Sequence, residues 1–320
     1  MRVLVSGRLP EAVRGRLEAL HEVIVNPHDA PMARAELLDQ VADKQGLLCM
    51  ITDRVDAELL ARAPDLKMVA NCGVGYDNID VTACSARGIL VSNTPGVLTE
   101  ATAELTWALL LAISRNVVSG DAYTRAGKFR FWAPLHFLGS EVSGKTLGIV
   151  GMGRIGQAVA RRAAGFNMPV CYHNRSPLPA ETVAGFKGEA VSLDALLERA
   201  DIVSLHLPLT PDTRHLIDAA ALERMKSSAF LVNTARGPVV DEAALVAALK
   251  AGRIAGAALD VYEDEPTLAP GLADLSNVVL LPHMGSATWE TRTRMTALAV
   301  ENLLAGLAGH TPPNCLNCPG

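Results

Sequence analysis

An apolar run at residues 146–150 ends directly on Gly151-Met152-Gly153-Arg154-Ile155-Gly156, and a helix-like stretch follows at 155–165. A strand that turns through G-x-G-x-x-G into a helix restricts the fold more than any other feature of this chain. The first glycine permits the tight turn, the second lets backbone approach a pyrophosphate, and the third lets helix and strand pack closely. The helix N-terminus then offers N–H donors and positive partial charge to phosphates. Glycines also collect in ordinary turns. The strand before and the helix after give this pattern its meaning, a dinucleotide site in a parallel α/β sheet.

The rest of the chain alternates short β-branched runs with longer amphipathic stretches, which predicts parallel sheets covered by helices. Strands are expected at 3–5, 46–51, 68–71 and 90–92, with helices at 11–20 and 34–43 between them. Asn93-Thr94-Pro95-Gly96 is a turn, and residues 99–118 read as one long helix with an acidic N-terminal end. A second series follows, with strands at 146–150, 169–172, 202–205, 230–233, 256–259 and 278–281 and a last helix at 288–307. The expected architecture is two doubly wound parallel-sheet domains, Rossmann-like and flavodoxin-like. The nucleotide domain, 99–287, is inserted into a substrate domain made of 1–98 plus 288–320.

At 320 residues the chain is long enough for two cores. Twenty-nine Lys and Arg against 34 Asp and Glu leave a formal charge of −5 with no basic block, which argues against nucleic acid as a partner. The longest apolar run, around Trp107–Ile113, is bounded by Glu104 and Arg115 and is too short to cross a bilayer. The first residues read as a strand and turn without a leader's apolar core, so the cytoplasm is the expected compartment. Six scattered cysteines are expected to be reduced there. Cys315-Leu316-Asn317-Cys318 has the spacing of half a zinc site, but no second pair matches it, and no metal is expected.

The end of the strand at 169–172 bears on the choice of nucleotide. An NAD site usually offers Asp or Glu there to the ribose hydroxyls. This chain has Asn174-Arg175-Ser176, which removes repulsion of a 2′-phosphate and supplies donors to it. NADPH is therefore the expected cofactor, with NAD the alternative in which Arg175 is a solvated cation over the adenine. Downstream, Arg236 follows the strand at 230–233, Glu265 follows Leu259-Asp260-Val261, and His283 follows the strand at 278–281. Sites in open α/β sheets form at the carboxyl ends of strands. A guanidinium clamps a carboxylate in a bidentate pair. A histidine hands a proton to a forming alkoxide, and a carboxylate beside it favours the imidazolium. Singly, each residue reads as surface or satisfied core; at three successive strand ends they read as a hydride-transfer site for a small 2-ketoacid or 2-hydroxyacid.

These residues carry a resemblance. Asn71-Cys-Gly-Val-Gly-Tyr-Asp77-Asn-Ile-Asp80, the glycine turn with Arg154 and Ile155, His206-Leu207-Pro208, Asn233-Thr-Ala-Arg-Gly237, Leu259-Asp-Val-Tyr-Glu263 and Pro282-His-Met-Gly-Ser-Ala287 resemble the D-isomer-specific 2-hydroxyacid dehydrogenases over essentially the whole chain. The likeness is greatest to the glyoxylate/hydroxypyruvate reductase branch. It implies Arg236 on the substrate carboxylate, His283 as acid/base and Glu265 as its partner. Substrate contacts are implied at Cys72, Gly73, Val74, Gly75 and Ser286. The cofactor set so implied comprises Val74, Gly151, Gly153, Arg154, Ile155, Gly156, Asn174, Arg175, Ser176, His206, Leu207, Pro208, Thr213, Thr234, Ala235, Arg236, Asp260, His283 and Gly285. The resemblance further implies a homodimer formed through the nucleotide domain and a cleft that closes on binding. Trp132 is either a residue reaching a neighbouring subunit's site or a buried interface anchor.

The expected activity is NADPH-dependent reduction of glyoxylate or hydroxypyruvate to glycolate or D-glycerate. Another 2-ketoacid within the family is the nearest alternative. A nicotinamide-sensing co-regulator is a remote one, since such relatives use long low-complexity tails that are not evident here. A methyltransferase reading leaves Arg236, Glu265 and His283 unexplained.

Overall fold

The computed structural model describes residues 1–318, and the chain folds as two compact units. One is Met1–Leu98 joined by the chain from Ser286 onward, and the other is Thr99–Gly285.

The first unit begins with β1 (Arg2–Val5), α1 (Glu11–Glu18), β2 (Glu22–Val25), α2 (Arg34–Gln40) and β3 (Gly46–Met50). It continues with α3 (Ala57–Arg62), β4 (Met68–Cys72), α4 (Val81–Ala86) and β5 (Leu90–Ser92). All five strands are parallel, in the order β2-β1-β3-β4-β5. That is the flavodoxin-like doubly wound order. Strands β3 and β4 are apolar and buried along almost their full length, as expected of parallel strands covered on both faces. Asp56 and Asp80 cap α3 and α4 by accepting from the N–H groups of Leu59 and Ala83.

The second unit opens with α5 (Thr99–Ser114) and α6 (Val117–Arg125). The long helix expected at 99–118 is thus two helices, because Asn116 sits in the left-handed region with φ 55° and breaks the run. Asparagine tolerates that region better than most residues, so the break carries no glycine or proline to announce it. The strand series is β6 (Leu147–Val150), α7 (Arg154–Ala163), β7 (Val170–His173), α8 (Ala180–Ala184), β8 (Gly188–Ala190) and α9 (Leu193–Arg199). It ends with β9 (Ile202–Leu205), α10 (Ala219–Arg224), β10 (Phe230–Asn233), α11 (Glu242–Lys250), β11 (Gly256–Leu259) and β12 (Val278–Leu280). The sheet order is β12-β11-β10-β9-β6-β7-β8. Strand order reverses between β6 and β9, which defines the crevice where doubly wound sheets bind nucleotides.

Two apolar clusters sandwich this sheet. One packs α9, α10 and α11 on one face, and the other packs α5 and α7 on the opposite face. Trp107 of α5 stacks on Phe166 at 4.7 Å and donates its indole N–H to the Val159 carbonyl of α7. Burying a side chain of this kind stabilises by roughly 1.5–3 kcal/mol. The final helix, α12 (Trp289–Leu307), belongs to the first unit, where it packs on β3, β4 and α1. Thr288 caps it by accepting from the Thr291 N–H.

The cysteines correct one expectation. Cys49, Cys72, Cys84 and Cys171 are buried free thiols, but Cys315 and Cys318 are joined as a disulfide. The bond occupies both sulfurs that a metal would need.

Candidate active site

The glycine turn stands at the carboxyl end of β6, at the reversal of strand order. Gly151 has φ 94°, and a Cβ there would lie 2.6 Å from the His206 carbonyl oxygen. At Gly156 a Cβ would collide with the Gly151 carbonyl oxygen, so the helix approaches the strand end only as glycine. Gly153 differs: a Cβ there would meet nothing within 4 Å. Gly151 and Gly156 are thus packing glycines, while Gly153 leaves open backbone at the N-terminus of the ten-residue α7. These residues fit a pyrophosphate, with Arg154 and Ile155 in the first turn of the helix.

Asn174 ties this turn to the end of β7. Its side-chain oxygen accepts from the Met152 N–H at 3.2 Å, and its amide donates to the Ser176 carbonyl at 2.8 Å. A neutral side chain therefore stands where NAD sites usually place a carboxylate, beside exposed Arg175 and Ser176. On the other side of the crevice, His206 lies just beyond β9 with its Nε2 2.9 Å from the Ser204 hydroxyl. Burial pushes His206 down to about 3, so it is neutral at working pH. Leu207 and Pro208 continue that loop. Thr213 fastens it by accepting from the Thr210 N–H and donating to the Pro208 carbonyl.

Arg236 follows β10 on a turn held by Asn233, whose side chain accepts from the Ala235 N–H and donates to the Arg236 carbonyl, both at 3.0 Å. Thr234 meets the Thr106 hydroxyl of α5 at 2.9 Å. The next residue, Gly237, is pressed against the following loop, where a Cβ would collide with the Tyr262 carbonyl. That contact places the Arg236 turn against the segment carrying Glu265.

Glu265 accepts from the Tyr262 N–H at 3.0 Å through one oxygen and lies 2.8 Å from His283 Nδ1 through the other. Burial works to raise the Glu265 carboxyl. The His283 hydrogen bond and charge, the Tyr262 N–H and the Arg236 charge outweigh it, leaving Glu265 below the ordinary carboxylate value. The pairing fixes the ring through Nδ1 and leaves Nε2 for a substrate.

His283 has φ 51°, in the left-handed region where a Cβ-bearing residue is strained. Asp260, at the end of β11, restrains it. The Asp260 carbonyl accepts from the His283 N–H at 2.8 Å. Its two carboxylate oxygens accept from the Met284 and Gly285 N–H groups at 2.7 and 2.8 Å. Burial raises the Asp260 carboxyl above its ordinary value, against these donors and the His283 charge. Arg236, Glu265, His283 and Asp260 thus form one cluster at the carboxyl ends of β10, β11 and β12.

The sequence reading missed the braces behind this cluster. Glu242, only 3% exposed at the start of α11, accepts from the Glu263 N–H at 2.7 Å, and Glu263 accepts in return from the Glu242 N–H at 3.4 Å. Glu263 also meets His215 Nε2 at 2.5 Å and Arg214 at 3.1 Å. In sequence, Asp241-Glu242 reads as an ordinary acidic first turn, and nothing local marks Glu242 as buried.

In the first unit, Cys72 ends β4, and Gly73, Val74 and Gly75 follow it. Their carbonyls are turned inward: Gly73 accepts from the Thr94 N–H, Val74 from the Asn93 side chain and Gly75 from the Asn71 side chain. A Cβ at Gly73 would collide with the Ile51 side chain. Burial pushes the Cys72 thiol up to about 11, which removes it as a nucleophile. Ser286 lies two residues before the cap of α12, and its carbonyl accepts from the Thr288 N–H at 2.9 Å.

Known proteins match this chain over most of its length. The D-isomer specific 2-hydroxyacid dehydrogenase NAD binding domain family matches residues 107–285. The glyoxylate reductase of Thermococcus litoralis is 48% identical over 320 residues, covering 99% of this chain and 96% of the relative. A solved structure from Thermus thermophilus superposes with a TM-score of 0.92 at 51% identity, covering 99% of this chain and 100% of that one. The NADPH-dependent glyoxylate/hydroxypyruvate reductase of Sinorhizobium meliloti, solved with NADP and malonate, superposes with a TM-score of 0.86 at 34% identity, covering 98% and 96%. The chain belongs to the D-isomer specific 2-hydroxyacid dehydrogenase family and is an NAD(P)-dependent oxidoreductase.

Proposed function

We propose that this enzyme reduces a small 2-ketoacid, glyoxylate or hydroxypyruvate, to the corresponding D-2-hydroxyacid (glycolate in the achiral case) with NADPH. The observation that carries the reading is the Glu265–His283 pair at 2.8 Å with the Arg236 charge acting on Glu265. The names borne by the Thermococcus litoralis and Sinorhizobium meliloti relatives support this substrate class.

The glycine turn after β6 and the N-terminus of α7 would hold NADPH, which when bound would supply a hydride for the keto carbon. Arg236 pairs with the substrate carboxylate and draws charge toward the reacting carbonyl. With the carbonyls of Gly73, Val74 and Gly75 engaged internally, the N–H groups of Val74 and Gly75 are the donors assigned to that carboxylate. His283 gives its Nε2 proton to the oxygen as negative charge develops there, and Glu265 stabilises the imidazolium beforehand. In the reverse direction His283 accepts that proton. Asp260 keeps the strained His283 loop in place through its three backbone bonds. Asn174, Arg175 and Ser176 are assigned to the 2′-phosphate, on the absence of a repelling carboxylate and the presence of a cation. Ser286 is assigned to the substrate, and Ile155, Leu207, Pro208, Thr213, Thr234 and Ala235 to the cofactor's walls.

The enzyme is further proposed to act as a homodimer. Support comes from the second unit, where Phe131, Trp132, Leu135 and Leu138 are 69, 81, 83 and 64% exposed within one segment. A run of large apolar side chains so exposed fits an interface with a second copy.

His283→Ala is the test. It is expected to lower kcat by roughly 10²–10⁴-fold, the scale of general acid–base catalysis. Wild-type turnover in the variant would remove His283 from the chemistry.

A further inference from the structure

The disulfide between Cys315 and Cys318 closes a short loop that is laid along the open edge of β5. Leu316 N–H donates to the Val91 carbonyl at 2.8 Å, and the Asn317 side-chain oxygen accepts from the Val91 N–H at 2.8 Å. The Asn317 amide also donates to the Ile89 carbonyl and the Ser85 hydroxyl, both at 2.9 Å. Asn317 therefore stands in for a strand partner, and the bond on either side of it holds it at that register.

The same segment is bonded toward the end of β4. Asn314 and Asn302 of α12 pair reciprocally, with Asn314 N–H to Asn302 oxygen at 2.9 Å and the Asn302 amide to Asn314 oxygen at 3.3 Å. Asn302 also donates to the Asn93 carbonyl at 3.2 Å, and the Asn314 carbonyl accepts from the Asn93 N–H at 3.4 Å. Asn93 in turn donates from its side chain to the Val74 carbonyl at 2.7 Å, and Thr94 N–H donates to the Gly73 carbonyl at 2.9 Å. Asn314 adjoins Cys315 in the chain, and from Asn314 a set of hydrogen bonds runs through Asn302 and Asn93 to the Val74 carbonyl.

Two further observations bear on its stability. The hydroxyls of Ser92 and Thr94, 1% and 0% exposed as residues, are buried with no hydrogen-bond partner among the described residues. Such groups cost free energy while sealed and regain it on hydration. Both cysteines are partly exposed, within reach of a dissolved thiol, whereas the other four are buried.

We propose that Cys315–Cys318 is a thiol–disulfide exchange site for a dithiol reductant, and that its redox state sets how firmly the Val74–Gly75 backbone is held for the substrate carboxylate. The dithiol's thiolate attacks one sulfur, the S–S bond breaks, and the other cysteine leaves as a thiolate that takes a proton. The second thiol of the reductant then displaces the mixed disulfide. Two electrons and two protons pass to the cystine, and the dithiol becomes a disulfide. Freed of the constraint, the Asn317 loop loses its register on β5, and Asn93 and Thr94 hold Val74 and Gly73 less firmly. The substrate consequence rests on the assignment of Val74 and Gly75 made above.

The test is reduction of the native enzyme with dithiothreitol, read by thiol titration, backbone hydrogen exchange and steady-state kinetics. Two thiols are expected to become reactive in the native protein. The amides of Val91, Asn93 and Thr94 are expected to exchange faster, and KM for the 2-ketoacid to rise about two- to tenfold, the worth of one net hydrogen bond. KM for NADPH should be unmoved. The variant carrying Cys315→Ser with Cys318→Ser should show the raised KM and ignore the reductant. Unreactive thiols, or freed thiols with unchanged exchange at Asn93 and Thr94, overturn the proposal, and so does faster exchange with an unchanged KM. If no 2-ketoacid is turned over, the functional reading fails by itself. Exchange at Asn93 and Thr94 then decides the redox link, supporting it if faster and overturning it if unchanged.

Discussion

His283 combines two features that rarely coincide: a strained left-handed backbone and a side chain shared with a carboxylate. The strain persists because Asp260 captures three successive N–H groups around it, which makes the placement of the imidazole a property of a buried aspartate. Glu265 carries a pH signature. Its folded value lies below its unfolded one, so its stabilisation is present above the unfolded value of ~4.3 and is lost as pH falls through the depressed value. Glu265→Gln removes that contribution. In denaturant titrations the wild type is expected to lose stability relative to the variant between about pH 5 and pH 3, and parallel curves would contradict the pairing. Cofactor choice is also a residue-scale matter. Asn174→Asp with Arg175→Ala restores a carboxylate and removes a cation, so the ratio of kcat/KM for NADPH to that for NADH is expected to fall at least about tenfold, the loss of one charge-assisted contact. An unchanged ratio would mean that the 2′-phosphate is read elsewhere.

At the scale of elements, legibility followed burial. Strands β9, β10 and β11 stand at the limits their apolar runs predict, because fully buried parallel strands leave an uninterrupted signal. The edge strands β2 and β8 were not legible. Glu22-Val-Ile-Val25 and Gly188-Glu-Ala190 are half exposed, and the ladder with β1 and β7 decides their conformation more than their own residues do. The division of α5 from α6 escaped for a related reason. A single asparagine does there what glycine usually does, and helical periodicity continues on both sides of it. For the site, glycine spacing and strand ends point to Arg236, Glu265 and His283 without coordinates, since each stands one short loop beyond a legible strand. Glu242 and Glu263 were hidden because their pairing is tertiary, between the start of α11 and a loop 21 residues on.

At the scale of the molecule, the same chain builds two sheets of different winding, and an apolar segment of the second unit stands uncovered. Trp132→Asp with Leu135→Asp places charges in that segment. Sedimentation velocity is expected to show a dimer for the wild type and a monomer for the variant, and equal masses would remove this face from assembly. The most direct test is the initial rate of reduction of glyoxylate, hydroxypyruvate and pyruvate, each with NADPH and with NADH. Fast turnover of glyoxylate or hydroxypyruvate is expected, with a higher kcat/KM for NADPH. Preference for NADH would contradict the assignment of Asn174, Arg175 and Ser176 while leaving the Arg236–Glu265–His283 cluster in place, and no turnover of any of the three would contradict the proposed activity itself.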